Sequence, residues 1–104
     1  EQIIVDVTTG IGETVAPHEF RLEQNYPNPF TPTTTITFSV GTYDHTSLRV
    51  YDVLGREVAT LVNETKQPGN YNTPFDGSNL SSGVYIYRLL SGGRSESRKL
   101  LLLR

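Results

Sequence analysis

Cysteine is absent from this chain of 104 residues, and so are methionine and tryptophan. Without cysteine the chain can form no disulfide framework, no thiolate nucleophile and no thiolate metal site. Its stability must therefore come from packing. A chain of this length can bury roughly 60 to 70% of the surface that its unfolded form exposes. We therefore expect one compact domain around an apolar core.

The sequence also lacks a strong net charge and a long apolar run. Its formal net charge is −2, and its longest apolar run extends only from Leu100 to Leu103, whereas about 20 residues are needed to span a bilayer. The composition is typical of an ordinary globular domain, and no direct insertion into a membrane is expected. No basic and apolar leader follows Glu1, so we expect any signal peptide to belong to a longer precursor.

Charge is distributed unevenly along the chain. From position 88 onward five basic residues accompany a single acid, Glu96, whereas the first 87 positions hold four basic and ten acidic residues and carry a charge of −6. The five basic residues are Arg88, Arg94, Arg98, Lys99 and Arg104. They are either the solvated face of a strand or a docking surface for an acidic partner, and both interpretations stay open.

Residues that could carry catalysis or hold a cofactor are few and scattered. His18 and His45, the only histidines, have no acidic neighbours at ligand spacing, so neither a zinc site nor a catalytic triad is predicted. The stretch IIVDV followed by Gly10 and Gly12 resembles the start of a dinucleotide motif, but Pro17 would interrupt the helix that such a motif needs. We predict no catalytic residue, no cofactor and no metal.

Aspartates and aromatic residues have equally plain explanations. Asp44, Asp52 and Asp76 lie in turn-like stretches, where hydrogen bonds from the side chain to the local backbone explain them without calcium. The six tyrosines and four phenylalanines fall mainly at alternating strand positions. They are expected to fill the core rather than to stack on nucleic acid bases, so no nucleic acid partner is predicted.

Alternation of inward and polar positions predicts about seven short strands and no helix. The inward positions are Phe20 and Leu22, then Ile36, Phe38 and Val40, then Leu48 and Val50, then Val58 and Leu61, then Tyr71, Thr73 and Phe75. A strand from Val84 to Leu89 and a last strand from Ser95 to Leu103 follow. Turn signals every 8 to 12 residues, roughly, are typical of an antiparallel β-sandwich.

Prolines and glycines mark the connections between these strands. Pro27, Pro29 and Pro32 remove three N–H donors, so the segment that holds them must be a stiff turn or an edge crossing. Gly55 can adopt the positive φ that a bulged hairpin needs. Pro74 indicates that its strand lies at a sheet edge or ends there. Residues 1–19 are interpreted as a linker from a preceding domain, with Ile3 to Val7 as a possible short edge strand.

The stretch RKLLLLR, from Arg98 to Arg104, needs a structural explanation because four adjacent leucines cannot all face one side of a strand. We expect the last strand to pair with residues 84–90 across a glycine hairpin, with Leu101 and Leu103 pointing inward and Leu100 and Leu102 pointing outward. The outward pair would need a covered second face, a bend or a partner. The alternative is that all four leucines fill the domain's own core.

The blocks LEQNYPNPFTPTTTITF, LRVYDVLGREVATLV, PGNY, FDGSNLSSGVYIYRL and RKLLLLR occur in this order. Together they resemble the C-terminal sorting domain of the type IX secretion system, over residues 20–104. Three positions depart mildly from that pattern. This chain has Thr31 where the family commonly has Asn, Phe75 where it commonly has Trp, and Leu100 where it often has Met. The resemblance implies an immunoglobulin-like β-sandwich, of the type A sorting domains, at the end of a larger exported protein.

The resemblance also implies a non-catalytic secretion signal in a Gram-negative bacterium. The parent protein would reach the periplasm, the outer-membrane translocon would recognise the domain, and a sortase-like peptidase would cut before Phe20. The upstream cargo of the same polypeptide would then be released or anchored at the cell surface. The recognition residues implied are Gly83, Val84, Tyr85, Arg98, Lys99, Leu100, Leu101, Leu102, Leu103 and Arg104.

Recognition could use the last strand as an exposed edge to which the translocon adds a strand of its own. An accessory module that binds polysaccharide or acts as a spacer is the alternative interpretation. An independent enzyme is a third interpretation, which no motif supports.

Overall fold

The computed structural model describes residues 19–104, and these residues form seven strands and no helix. The strands are β1 (Arg21–Leu22), β2 (Thr33–Val40), β3 (Asp44–Tyr51), β4 (Glu57–Lys66), β5 (Gly69–Asp76), β6 (Gly83–Ser91) and β7 (Arg94–Leu102). The sequence predictions for Ile3 to Val7, Gly10, Gly12, His18 and the cleavage region before Phe20 lie outside the described residues.

The strands form two antiparallel sheets, with the orders β1-β2-β5 and β4-β3-β6-β7. The chain changes sheets between β2 and β3, between β4 and β5, and between β5 and β6. Their buried faces share one core, which confirms the predicted seven-stranded β-sandwich. The strand order favours the immunoglobulin-like subtype, which stays a prediction.

Alternation along the strands builds the core. Fourteen apolar side chains are buried, most of them completely, and each contributes about 1.5 to 3 kcal/mol relative to an exposed position. They are Leu22, Phe30, Ile36, Phe38, Val40, Leu48, Val50, Val62, Phe75, Tyr85, Tyr87, Leu89, Leu100 and Leu102. Five of the ten aromatic residues are buried, and Phe20 and Tyr71 pack against the core, so the prediction that most of them fill the core is confirmed, whereas Tyr26 and Tyr43 are exposed.

Strand β4 departs from simple alternation because it contains two bulges. The register skips Leu61 and Val58, both of which are only half-buried, and it places Val62 opposite Leu48 in the core. The predicted inward pair on this strand is therefore only partly right. Bulges of this kind insert one extra residue and shift the side chains that follow to the other face.

Turns and edges follow the predictions. Gly55 has a φ of 85° in the turn that joins β3 to β4, where the N–H of Gly55 donates to the carbonyl of Asp52. Pro74 lies in β5, an edge strand of its sheet, where a missing N–H costs no ladder bond. The proline-rich segment between β1 and β2 crosses from one sheet to the edge of the other, since Phe30 bridges to Leu102 of β7.

The predicted orientation of the leucines in β7 is wrong. Leu100 and Leu102 are buried, whereas Leu101 is half-buried and Leu103 is 49% exposed. The cause is the two-residue turn Gly92-Gly93, with φ values of 59° and 79°, which pairs Ser91 with Arg94. This pairing sets Leu100 opposite Tyr85 on the core side, because residues paired across two strands share one face.

Candidate functional site

The outer edge of β7 is occupied by residues 24–30, which precede β2. The amide Nε2 of Gln24 donates to the carbonyl of Lys99 over 2.7 Å, and the backbone N–H of Leu101 donates to Oδ1 of Asn28 over 2.9 Å. Phe30 donates its N–H to Leu101 and accepts one from Leu103, both over 3.0 Å. The expectation of an open edge is therefore wrong from Lys99 to Leu103, because a partner strand would find these groups already bonded.

Asn25 anchors this covering segment in the core. It is 2% exposed, its N–H donates to the hydroxyl of Tyr87 over 2.8 Å, and its Nδ2 donates to Oγ1 of Thr34 over 3.0 Å. The Tyr87 hydroxyl in turn donates to the carbonyl of Glu23 over 2.7 Å. Burial raises the pKa of Tyr87, and the bond from Asn25 partly offsets this shift. The hydroxyl therefore stays protonated and can serve both partners.

Sequence reasoning missed Asn25, Asn28 and Phe30 as structural residues. The signal that could have identified them is the set of prolines beside them, since prolines remove some N–H donors and the segment then needs side-chain amides for part of its bonding to a neighbouring strand. Asn28 and Gln24 supply such amide groups to β7.

Arg98 ties β7 to β1 and so joins the two sheets. Its Nε donates to the carbonyl of Leu22 over 2.6 Å, while Oε1 of Glu96 accepts the N–H of Leu22 over 3.3 Å. Arg98 and Glu96 also form an ion pair of 3.7 Å. The guanidinium of Arg98 is therefore engaged within the domain.

Arg104 holds the loop of residues 77–82, which connects β5 to β6. Its Nη1 donates to the carbonyls of Ser78 and Leu80, the latter over 2.6 Å, and its N–H donates to Oγ of Ser82 over 2.9 Å. Gly77 begins this loop and packs directly on Leu102. The end of β7 thus lies between this loop and Phe30.

Four of the ten predicted recognition residues lie together on the solvent side of the four-stranded sheet, which we call the outer face. Val84 is 41% exposed and pairs with Leu101. Lys99 is exposed and pairs with Ile86, which lies two residues after Val84 on the same face of β6. Leu103 continues the same side of β7. These residues form an apolar corner with one cation beside it.

The remaining six residues serve the fold. Tyr85, Leu100 and Leu102 are buried, and Arg98 and Arg104 are bonded as described above. Gly83 has a φ of 152°, and a Cβ built on it would have no atom within 4 Å. The backbone conformation, rather than lack of space, therefore favours glycine at this position.

The outer face also includes residues outside the ten predicted recognition positions. Tyr51 pairs with Ile86, and Arg49 pairs with Arg88. The guanidinium of Arg88 lies 5.8 Å from the centroid of the Tyr51 ring, and its Nε donates to Oγ of Ser97 over 3.3 Å. A cavity of about 230 Å³ opens beside these side chains and extends to the turn at Gly55. Only the strand register brings these residues together.

Aspartates at the turns act as predicted in two of three cases. The backbone N–H of Arg56, bonded to Asp52, lowers the pKa of that carboxyl, and the Ser78 hydroxyl bonded to Asp76 lowers the pKa of Asp76. Asp44 instead begins β3 and accepts a hydrogen bond from the hydroxyl of Thr42. Within residues 19–104 no cluster of three or more His, Asp or Glu side chains is placed to hold a metal ion. In the same range no helix is long and apolar enough to cross a membrane.

Comparison with known proteins identifies a family. A family model described as a secretion system C-terminal sorting domain matches residues 24–103. No curated protein matched the chain. No solved structure matched it either. The matched range contains both the outer face and the segment that covers the edge of β7.

Proposed function

The chain belongs to the C-terminal sorting domains of the type IX secretion system, and on that premise we propose that the translocon recognises its outer face. A sorting domain of this family acts as part of a larger cargo protein that engages the secretion machinery, and the cargo is exported to the cell surface or secreted. The outer face would be the surface by which this domain directs its cargo across the outer membrane.

One observation carries the proposal. Val84, Leu101 and Leu103 leave apolar surface in water although a half-exposed antiparallel sheet normally has polar residues there. Val84 and Leu101 lie on β6 and β7, and Leu103 directly follows β7. The three residues belong to the FDGSNLSSGVYIYRL and RKLLLLR blocks. The internal packing of the domain gives no reason for apolar side chains at these positions, whereas a partner surface does.

The folded domain, rather than a released tail, is the form that would be recognised. Withdrawing β7 would remove Leu100 and Leu102 from the core, and truncating a buried leucine alone costs about 2 to 5 kcal/mol. It would also break the bonds to Asn28 and Phe30. Recognition of the outer face by the translocon requires none of these losses.

The later steps are part of the same proposal. The domain itself is non-catalytic, and the parent protein passes through the periplasm before it reaches the translocon. A sortase-like peptidase then cuts the chain before Phe20, and the cargo is released or anchored at the cell surface. The domain's own contribution is a stable module that presents the recognition surface.

A reporter experiment tests the proposal. The whole chain is fused behind a signal peptide and a reporter, and the fusion is expressed in a bacterium that has the type IX machinery. We expect the double variant Val84→Ser, Leu101→Ser to lower the amount of surface or secreted reporter by about tenfold or more, as loss of a hot-spot pair would. Thermal unfolding of each purified variant shows whether the fold is intact.

Leu90→Ser is the matched control, because Leu90 is also an exposed leucine of the outer face but lies at the other end of β6, opposite Ser95 and away from the apolar corner. Its export should equal that of the unchanged fusion. Full export of a folded Val84, Leu101 double variant would show that the apolar corner of the outer face is not the recognition surface. Full export after removal of residues 20–104 would refute the sorting role itself.

The alternative of polysaccharide binding has no comparable support. Among the described residues the two most exposed aromatic rings are Tyr26 and Tyr43. Tyr26 bridges to Thr35 near the start of β2, and Tyr43 follows the end of that strand. Thr35 and Val40, the residues of β2 nearest to them, are about 17 Å apart along the strand, so the two rings do not form one flat strip on which sugar rings could stack.

A further inference from the structure

We infer that the partner contributes a carboxylate, next to an apolar side chain, which binds between Arg88 and Lys99 on the outer face. This inference rests on the proposed function and names the chemistry of the partner: an acidic, apolar segment of a protein.

The first observation is an unfavourable pair of like charges. Arg49 and Arg88 lie directly opposite each other on β3 and β6, and like charges at such a position destabilise a sheet. Glu57 relieves only one of them, since its carboxylate lies 3.5 Å from Nε of Arg49. Within residues 19–104 no carboxylate lies within 4.0 Å of the charged nitrogens of Arg88. The sheet therefore retains an excess positive charge that its own side chains do not neutralise.

The second observation is that Lys99 extends this excess charge toward the apolar corner. Ser97 lies opposite Arg88, and Lys99 follows two residues later on the same face of β7. The side chain of Lys99 is exposed. No carboxylate within the described part of the chain pairs with it. Arg88 and Lys99 therefore mark two neighbouring positions at which an anion from a partner gains energy without displacing an existing ion pair.

The third observation is that Arg88 is held in place before any partner arrives. Its guanidinium packs over the Tyr51 ring and its Nε is bonded to Ser97. Among residues 19–104 the terminal nitrogens of Arg88 have no hydrogen-bond acceptor. They are the part of the guanidinium that binds a carboxylate in a bidentate manner, and a pre-positioned side chain loses less entropy on binding.

The surroundings favour a protein rather than an anionic membrane. Recognition of anionic lipid by charge typically requires clusters of about four to eight Lys or Arg residues, whereas among the described residues of this face only Arg88 and Lys99 lack an acidic partner. The apolar corner beside them is small, since it consists of Val84, Leu101 and Leu103. Such a surface fits an apolar side chain of a protein segment beside its carboxylate.

The experiment measures how the full chain binds the detergent-solubilised translocon at about 50 mM and about 500 mM salt, since screening weakens such charge pairs. We expect Arg88→Gln, Lys99→Gln to weaken binding at low salt by about tenfold and to remove most of the salt dependence. Arg88→Glu, Lys99→Glu should weaken it further. Arg94→Gln is the control, because Arg94 packs over Phe20 away from this face, and it should bind normally.

Three outcomes would overturn the inference. The first is that the folded double variants bind as tightly as the unchanged chain, with the same salt dependence. The second is that the Glu and Gln double variants weaken binding equally, since a carboxylate of the partner would be repelled by glutamate but not by glutamine. The third is that the unchanged chain binds vesicles of anionic phosphatidylglycerol through Arg88 and Lys99 while translocon binding does not depend on them. In each case the sorting role stands as long as removing the domain still abolishes export.

Discussion

Phe30 and Leu102 form a parallel β-bridge although they come from opposite ends of the domain. The N–H of Phe30 donates to Leu101 and its carbonyl accepts the N–H of Leu103, so the two bonds enclose Leu102. Both Phe30 and Leu102 are buried. The proline-rich block and the leucine-rich block are therefore one structural unit, and changes in either block should affect the other.

The buried and exposed leucines of β7 should differ sharply in their effect on stability. Leu102→Ala should lower the free energy of unfolding by about 2 to 5 kcal/mol, because it leaves a cavity beside Phe30. Leu103→Ala should change it by less than about 0.5 kcal/mol, because Leu103 is largely exposed. Urea unfolding followed by circular dichroism measures both values. Equal losses for the two variants would contradict the observed orientation of β7.

Gly77 should not tolerate a methyl group. A Cβ at Gly77 would lie 3.1 Å from Cδ2 of Leu102 and 3.3 Å from Cε2 of Phe30, so both side chains would have to move. We expect Gly77→Ala to cost about 1 to 3 kcal/mol, as overpacking does. Gly69→Ala is the matched control, since its nearest neighbour, in Tyr71, is 3.7 Å away. The control should unfold at an unchanged or slightly higher urea concentration, and the reverse order of the two variants would contradict the close packing.

Arg104 should stabilise the loop that precedes β6. Replacing it by alanine removes hydrogen bonds to the carbonyls of Ser78 and Leu80, and we expect a loss of about 1 kcal/mol because these groups can bond to water instead. The N–H of Leu80, which is bonded to Gly77, should exchange faster with deuterium. Arg104→Lys should recover only part of this protection, because one ammonium group cannot replace the planar guanidinium. Unchanged exchange at Leu80 in the alanine variant would show that Arg104 does not hold the loop.

Stability should fall at alkaline pH in a way that depends on Tyr87. Burial raises its pKa above the ordinary tyrosine value of about 10, so the folded state keeps a proton that the unfolded state loses. The contribution of Tyr87 is complete below that ordinary value and is lost as pH rises through the folded pKa. Tyr87→Phe should therefore be less stable at neutral pH, and its disadvantage should shrink above about pH 10.

Denaturant unfolding between about pH 7 and about pH 11.5 measures this difference. Tyr43→Phe serves as the control because Tyr43 is 67% exposed, and its stability should follow that of the unchanged chain at every pH. A difference between Tyr87→Phe and the unchanged chain that stays constant over the whole range would contradict the role of burial.

The sequence was sufficient to predict most of the strands, because most of them alternate between side chains that need burial and side chains that tolerate water, β4 with its two bulges excepted. Ile36, Phe38 and Val40 occupy the core as their spacing indicates, and Pro74 lies at an edge. The sequence blocks and their order were sufficient to identify the C-terminal sorting domain family. The sequence could not orient Leu100 to Leu103, because four adjacent leucines contain no polar residue to mark the outer face.

The tertiary structure decided the rest, and register and chain crossing are the physical reasons. The Gly92-Gly93 turn sets the pairing of β6 with β7, and this pairing sends Leu100 and Leu102 inward and places Lys99 beside Ile86. The crossing of residues 24–30 bonds the edge of β7 that the sequence left open to a partner. Both features depend on contacts between distant parts of the chain, whereas alternation within a strand is local and can be read directly from the residues.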